Sequence, residues 1–192
     1  MDIGVEKAIE VLNQGGIIIF PTDTVWGMGC RIDRPQAIDR LFRIRRRPLM
    51  QATPVLVSEV EMALSYWDSP SQIVRHLVEK YWPGALTIIY KCKKDLVYSP
   101  VRGGRENLGL RMPNQPQLLK IIKQAGVPIL GPSANFHGAP TPISRSEMDP
   151  ELIKLVDLVL PGGTTSGQAS TVVDCSQEPV KILRQGSVKL IT

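Results

Sequence analysis

Arginines and small polar residues form five short clusters along the chain. In chain order they are Thr22–Thr24, Arg45–Arg47, Arg111, Ser133–Asn135, and Ser170-Thr171 with Arg184. Nearly all of them lie at the ends of predicted strands, where α/β proteins build ligand sites. Guanidinium forks and hydroxyl donors bind carboxylate and phosphate oxygens. The clusters therefore indicate a site for anionic ligands.

Several of these clusters also have a plain structural explanation. Thr22–Thr24, in "FPTDTVWGMG", is compatible with a turn, because Asp and Thr side chains satisfy nearby backbone groups. For Asp23 we predict a turn cap, with a magnesium or substrate-amine contact as the alternative. Arg45–Arg47 is compatible with a solvated helix end, where cations are favourable. Ser170-Thr171 alone predicts strand hydroxyls, and Arg184 alone predicts a surface charge.

Two segments favour ligand binding more strongly. The loop "GPSANFHGAP" (131–140) follows an apolar strand, and its Ser, Asn and backbone N–H groups suit an anion, whereas His137 there is expected to be an ordinary loop residue. Arg111 lies in the apolar strand "LGLRMP". A buried arginine needs an anionic partner, because an unpaired buried charge is costly. We favour a ligand carboxylate as this partner over an internal salt bridge.

Composition narrows the class of protein. The 192 residues carry a net charge of +5, with 21% charged and 43% apolar residues, which is typical of a globular chain. We predict a single domain over residues 1–192 and anionic partners. Three widely spaced cysteines and two separate histidines indicate reduced thiols, with little basis for a disulfide framework, a zinc site or a Ser-His-Asp triad. We see no signal peptide or membrane-length apolar run, and expect a cytoplasmic protein.

The elements that position the clusters are predicted from apolar periodicity. Two helices are expected over 5–14 and 115–125, and two more are expected to begin at Pro35 and at Ser144. A fifth is expected after the capping box of Ser58 and Glu61. A sixth is expected from Ser69-Pro70 to Tyr81, with Ile73 facing inward. Strands are expected over 17–20, 53–57, 85–90, 108–112, 127–130, 155–160, 171–173 and 180–183. This alternation predicts an α/β fold with a mixed sheet and an antiparallel portion at the end.

Seven motifs together resemble one family. They are "GIIIFPTDTVWGMG", "RIRRRP", "YWPGALTIIY", "LGLRMP", "GPSANFHGAPTP", "STVVD" and "ILRQGSV". In their order and approximate spacing, from Val5 to Val188, they resemble the YrdC-like threonylcarbamoyl-AMP synthases, in the short single-domain form. The resemblance implies a twisted mixed α/β sheet flanked by helices, with a large concave basic surface.

The resemblance also implies an activity. Members of the family are nucleotidyltransferases that convert ATP, L-threonine and bicarbonate into threonylcarbamoyl-AMP and pyrophosphate, and we expect Mg²⁺ to accompany the ATP. The product feeds a tRNA threonylcarbamoyl transferase complex, which makes the t6A modification at adenosine 37 of tRNA.

Residue roles carry over motif by motif. The implied threonine-binding residues are Thr24, Arg111, Gly131 and Ser170. The implied ATP-binding residues are Arg47, Gln51, Asn107, Ser133, Thr141 and Arg184. The implied catalytic residues are Arg45, Arg47, Ser133 and Asn135.

Three positions depart from the family pattern. Arg45 replaces the lysine of a Lys-x-Arg motif, which changes the donor geometry. Gln51 stands where many members carry lysine or asparagine, and Asn107 stands where threonine is frequent.

Two other functions remain as alternatives. Related domains form carbamoyl-adenylate from carbamoyl phosphate, within larger chains that carry additional zinc-finger or acylphosphatase parts. A non-catalytic module for tRNA or double-stranded RNA would use exposed cations, here Arg43, Arg45–Arg47, Lys91, Lys93 and Lys94. Only 5% of residues are aromatic, which leaves few platforms for base stacking.

Overall fold

A computed structural model describes residues 3–164 and 166–190. Its helices are α1 (Ile3–Asn13), α2 (Pro35–Ile44), α3 (Val60–Tyr66), α4 (Gln72–Tyr81), α5 (Pro116–Ala125) and α6 (Pro150–Lys154). Its strands are β1 (Ile18–Phe20), β2 (Gly27–Gly29), β3 (Val55–Leu56), β4 (Leu86–Lys91), β5 (Asn107–Arg111), β6 (Ile129–Leu130), β7 (Leu158–Val159), β8 (Thr171–Asp174) and β9 (Lys181–Arg184). Short 3-10 turns cover Lys94–Leu96, Ser99–Arg102 and Arg145–Glu147.

The strands form two mixed sheets, which confirms the predicted α/β class. The larger sheet has the order β6-β3-β5-β4-β8-β9, with β3/β5 and β4/β8 parallel and the other neighbours antiparallel. The smaller sheet has the order β2-β1-β7. The prediction that the last strands pair antiparallel is confirmed for β8 and β9. The same prediction was wrong for β7, which pairs in parallel with β1.

Helices α1 and α5 cover one side of this arrangement. Val5, Ala8 and Leu12 recur at helical spacing in α1, and they pack with Leu118 and Ile122 of α5 in one buried cluster. A second, larger cluster contains the inner face of α2 and most strands of the larger sheet. The two cores hold the strand ends in fixed positions.

Strand β2 was not among the strands predicted from the sequence. It pairs antiparallel with β1, and Phe20 lies opposite Gly27. At Gly29 an added Cβ would lie 1.9 Å from the carbonyl oxygen of Leu130. Glycine is therefore required for close packing of two backbones, a constraint that local propensity does not reveal.

Three local predictions about helices were wrong. Helix α3 has Glu59 as its N-cap with no side-chain cap bond, and the Ser58 hydroxyl instead lies 3.8 Å from the sulfur of Met62. Ile73 is 44% exposed, because helix α4 turns it away from the core. The segment after Ser144 is a 3-10 turn, and helix α6 begins only at Pro150. Among the residues described, no helix has the length and apolar character to cross a membrane.

Candidate functional site

A cavity of about 330 Å³ lies on one face of the larger sheet. Because side chains alternate along a strand, Asn107, Gly109 and Arg111 of β5 all face it. Ile89 of β4 lies opposite Gly109 on one side and opposite Asp174 of β8 on the other. The floor of the pocket is thus set by the register of three neighbouring strands.

Ten of the twelve residues predicted for the site line this pocket. They are Thr24, Arg45, Arg47, Asn107, Arg111, Gly131, Ser133, Thr141, Ser170 and Arg184. Asn135 is buried behind Ser133, and Gln51 is exposed outside the lining. The structure thus brings together clusters that are separated by more than a hundred residues in the chain.

Arg111 forms one wall of the pocket with an internal partner. It makes an ion pair with Asp23, and it donates hydrogen bonds to Thr24 Oγ1 (2.8 Å) and to the carbonyl oxygen of Gly84 (3.0 Å). Burial lowers the pKa of Arg111, and the charge of Asp23 opposes that shift. The structure contains the internal salt bridge that we ranked below a ligand carboxylate, and the ligand carboxylate stays a prediction. The turn-cap prediction for Asp23 was wrong, because its carboxylate pairs with Arg111.

The turn before β2 is capped by Thr22. Its Oγ1 accepts from the backbone N–H groups of Thr24 (3.1 Å) and Val25 (3.2 Å), and donates to the Val25 carbonyl (2.6 Å). With the Thr22 proton used in this way, the 2.9 Å bond between the two hydroxyls must be donated by Thr24. Thr24 therefore has a lone pair, and no free proton, left for a ligand.

Arg45 forms a second wall, and its charge has no carboxylate partner among the described residues. It is 3% exposed, and it donates to the main-chain oxygen (3.1 Å) and to Oδ1 (3.2 Å) of Asn135. Its Nη1 is buried with no hydrogen-bond partner in the described part of the chain. Burial, together with the charge of Arg47, lowers the pKa of Arg45 to about 10.

Ser133 and Asn135 are connected to this arginine. Ser133 Oγ donates to Asn135 Oδ1 (2.5 Å), and Asn135 Nδ2 donates to the carbonyl of Ala139 (2.6 Å). Asn135 therefore orients Arg45 and Ser133 from behind. Gly131 begins the same loop, and an added Cβ there would lie 2.4 Å from Leu56 Cγ, so that only glycine leaves this wall intact.

Arg47 is held by main-chain oxygens. Its Nε donates to the carbonyl of Gln51 (3.2 Å), and its Nη2 donates to that of Ala52 (2.5 Å). Burial lowers the pKa of Arg47. Gln51 thus acts through its backbone in this structure, while its exposed side chain points to no partner in the pocket lining.

Ser170 and Arg184 form the opposite wall. Arg184 donates to the main-chain oxygen (3.0 Å) and to Oγ (3.1 Å) of Ser170, which also bonds to Thr87 Oγ1 (2.9 Å). Burial lowers the pKa of Arg184. Arg184 is an exposed residue of β9 and Thr171 lies in β8, as the simple interpretation expected, but the bonds between Arg184 and Ser170 join the two segments at the pocket.

Five polar lining residues were missed by the sequence prediction: Thr53, Thr87, Arg102, Arg105 and Asp174. Arg105 shares the alternation of Asn107, Gly109 and Arg111, which was an available signal. Thr87 and Asp174 became recognisable only through the pairing of β4 with β5 and β8.

A magnesium ion would find few protein ligands here. Asp174 is the one carboxylate among the described lining residues, and its Oδ1 already accepts from the backbone N–H and hydroxyl of Ser176. No group of three acidic, histidine or cysteine side chains is arranged for a metal in residues 3–164 and 166–190. Magnesium binds readily through substrate phosphates with one or two carboxylates, so it would arrive with the nucleotide.

The chain belongs to the Sua5/YciO/YrdC family. The model of this family, whose description reads "Telomere recombination", matches residues 10–186. The fold and the residues gathered around the pocket agree with the resemblance derived from the seven motifs.

Individual relatives differ in length and in what is known of them. Threonylcarbamoyl-AMP synthase of Bacillus subtilis (strain 168) is 30% identical over 188 residues, which are 97% of this chain and 54% of that protein. YciO of Escherichia coli (strain K12), described as uncharacterized, is 28% identical over 95% of this chain and 88% of its own. The crystal structure of Pyrococcus abyssi Sua5 complexed with L-threonine matches with a TM-score of 0.88 and 27% identity, over 95% of this chain and 54% of that one. The chain thus spans about half the length of the two relatives with a named activity or ligand.

Proposed function

We propose that the chain is an L-threonylcarbamoyladenylate synthase, a nucleotidyltransferase that forms threonylcarbamoyl-AMP and pyrophosphate from ATP, L-threonine and bicarbonate. The observation that carries this proposal is the excess of cations in the pocket, where six arginines stand against one carboxylate among the described lining residues. The buried Arg45 among them has no carboxylate partner in that part of the chain, and an unpaired buried charge is costly, so its wall suits an anion. The names of the B. subtilis relative and of the threonine complex support the same reaction.

The three reactants are proposed to bind on different walls. Threonine lies beside Thr24, Arg111, Gly131 and Ser170, where Arg111 offers charge to its carboxylate and the Thr24 lone pair accepts from its amine. The nucleotide is bound by Arg47, Ser133, Thr141 and Arg184, and Asn107 borders its site. Arg45 and Asn135 orient Ser133 and the α-phosphate. For Gln51 the proposed contribution is its main-chain oxygen, which fixes Arg47.

The chemistry needs alignment and charge stabilisation. The threonine amine and bicarbonate give a carbamate and water. A carbamate oxygen then forms a bond to the α-phosphorus, while the bond to the bridging oxygen breaks and pyrophosphate leaves with the electron pair. Arginines and hydroxyl donors placed around the phosphorus stabilise the charge that develops. Magnesium, when bound, would neutralise phosphate charge.

The product and its setting follow from this reaction. Threonylcarbamoyl-AMP is proposed to pass to a tRNA threonylcarbamoyl transferase complex for t6A formation. ATP, threonine and tRNA are cytoplasmic reactants, so we propose a cytoplasmic location. We also propose that residues 1–192 act as one domain.

The test is incubation with ATP, L-threonine and labelled bicarbonate, with pyrophosphate release measured in parallel. We expect threonine-dependent label in an adenylate, and loss of both signals in Ser133→Ala and Arg47→Ala. Arg75→Ala, on the exposed face of α4, is the matched control. Absence of label under conditions where an established synthase works would overturn the proposal.

A labelling assay with carbamoyl phosphate and a thermal-shift assay separate the alternative functions. Label transferred from carbamoyl phosphate, with no dependence on threonine, would favour a carbamoyl-adenylate-forming domain. Thermal stabilisation by tRNA, with none by ATP plus threonine, would favour a non-catalytic RNA-binding module.

A further inference from the structure

Two arginines that have no role in the proposed assignment, Arg102 and Arg105, line the same pocket. Arg102 is 8% exposed at the end of the Ser99–Arg102 turn, and Arg105 is exposed three residues later. Neither takes part in an ion pair among the described residues. The acidic side chain near them is Glu106, whose pKa is lowered chiefly by its hydrogen bond and ion pair with Lys94 and less by the charge of Arg102.

The backbone holds this pair in place. Arg102 Nε donates to the carbonyl of Val97 (3.2 Å), and its Nη1 donates to the carbonyl of Arg105, which fixes the turn between the two arginines. Gly103, at φ 59°, has the left-handed conformation that the turn requires, and an added Cβ would lie 2.7 Å from the Ala52 nitrogen. The turn is thus seated against the 50–52 segment.

That segment links the pair to Arg47. The carbonyls of Gln51 and Ala52 accept the hydrogen bonds of Arg47, and the backbone N–H of Thr53 donates to the carbonyl of Val101 (3.0 Å). Arg47 and Arg102 therefore belong to one rigid wall of the pocket.

The position of this wall along the sheet distinguishes it from the threonine wall. Arg105 precedes Asn107 at the start of β5, whereas Arg111 ends the same strand. Four residues of strand separate Asn107 from Arg111 by about 13 Å. A substrate held at Arg111 leaves space for an extended chain of phosphates towards Arg105.

The distribution of charge in the pocket supports the same orientation of the nucleotide, with its phosphates towards Arg105. Six arginines line the pocket against one carboxylate among the described residues, and Arg111 is already neutralised by Asp23. In the proposed reaction the triphosphate is the most highly charged reactant.

We propose that Arg102 and Arg105 bind the β- and γ-phosphates of the nucleotide, and hence the leaving pyrophosphate. This inference rests on the proposed function of the pocket. When the carbamate oxygen attacks the α-phosphorus, the electron pair of the broken bond stays on the bridging oxygen of pyrophosphate. Two guanidinium groups at that end stabilise the new charge, and they do not contact the adenosine or the threonine.

The experiment is calorimetric titration of the full chain with AMP, ATP and inorganic pyrophosphate. The variants are Arg105→Ala, whose side chain is exposed, and Arg75→Ala as the matched control on α4. We expect Arg105→Ala to weaken ATP and pyrophosphate binding by roughly tenfold, and AMP binding by less than about twofold. Arg102→Lys, which keeps the charge but loses the fork, should show the same selectivity.

Two results would overturn the inference: equal weakening of AMP and ATP by Arg105→Ala, or no weakening of pyrophosphate binding. Pyrophosphate release by the wild-type chain is measured in the same preparation. Arg105→Ala could lose pyrophosphate binding selectively while the wild-type chain releases no pyrophosphate from ATP and threonine. That result would support the phosphate site and reject the proposed synthase activity.

Discussion

The two buried arginines Arg111 and Arg45 stand on different walls of one pocket, and their surroundings differ. Arg111 meets a carboxylate, a hydroxyl and a carbonyl, all supplied by the chain. Arg45 meets only oxygens of Asn135 and Ser133, and its Nη1 has no partner in the described residues. Both are nearly inaccessible, at 6% and 3% exposure.

The difference separates a charge that the fold itself balances from a charge that has no counterion among the described residues. Removing Arg111 would leave the Asp23 carboxylate with little solvent and no cation, which is costly. Removing Arg45 would take away a buried charge for which the protein provides no counterion. We therefore expect stability to depend mainly on the first arginine and anion binding mainly on the second.

The largest expected effect tests the paired arginine. Arg111→Met should lower the free energy of unfolding by about 3–5 kcal/mol, because it leaves Asp23 buried without its partner. Chemical denaturation measures this. The double variant Asp23→Asn/Arg111→Met removes both charges and should recover much of the loss. Equal destabilisation of the single and double variants would show that the ion pair is not the cause.

The complementary variant is Arg45→Met. We expect its free energy of unfolding to change much less than that of Arg111→Met, since it removes an unbalanced charge. Its affinity for ATP should fall roughly 10- to 100-fold, which is the range for a lost charge-assisted hydrogen bond to the α-phosphate. Denaturation and calorimetry on the same samples measure both quantities. An Arg45→Met variant that unfolds easily and still binds ATP with wild-type affinity would reverse the comparison.

The hydroxyls of Thr22 and Ser133 allow the same comparison between stability and function, with smaller expected effects. Thr22→Val should cost about 1–3 kcal/mol of stability, because two backbone N–H groups lose their acceptor. Ser133→Ala should cost less than about 1 kcal/mol, since Asn135 Oδ1 keeps its bond to Arg45, and should instead abolish pyrophosphate release. Thermal denaturation and the release assay together distinguish these outcomes.

The smallest expected effect is a pH dependence. The pKa of Arg45 in the free protein is about 10, and a bound anion would raise it, so anion affinity falls as the pH rises through about 10. At about pH 10.3 the contribution of Arg45 to ATP binding should be reduced about threefold. The quantity to measure is the difference between wild type and Arg45→Met, which cancels titration of the other arginines. A difference that stays constant from about pH 9 to about pH 11 would contradict this assignment.

Much of the candidate site was predictable from residue types at strand ends. Thr24, Arg111 and Ser133 follow or lie within an apolar segment, Ser170 directly precedes β8, and all four line the pocket. Thr87 and Asp174 were not predictable. Alternation along a strand shows which residues share a face, but the register of β4 with its neighbours decides which face borders the cavity.

The sequence by itself determined the alternation of helices and strands and the chemical character of the site, because periodicity and residue type are local properties. It did not reveal β2, whose glycines are required by the approach of the Leu130 carbonyl. Only the tertiary structure decided which arginine has a partner, since Asp23 and Arg111 are 88 residues apart in the chain. Burial and pairing depend on all the elements packed around a charge, and those elements are distant in sequence.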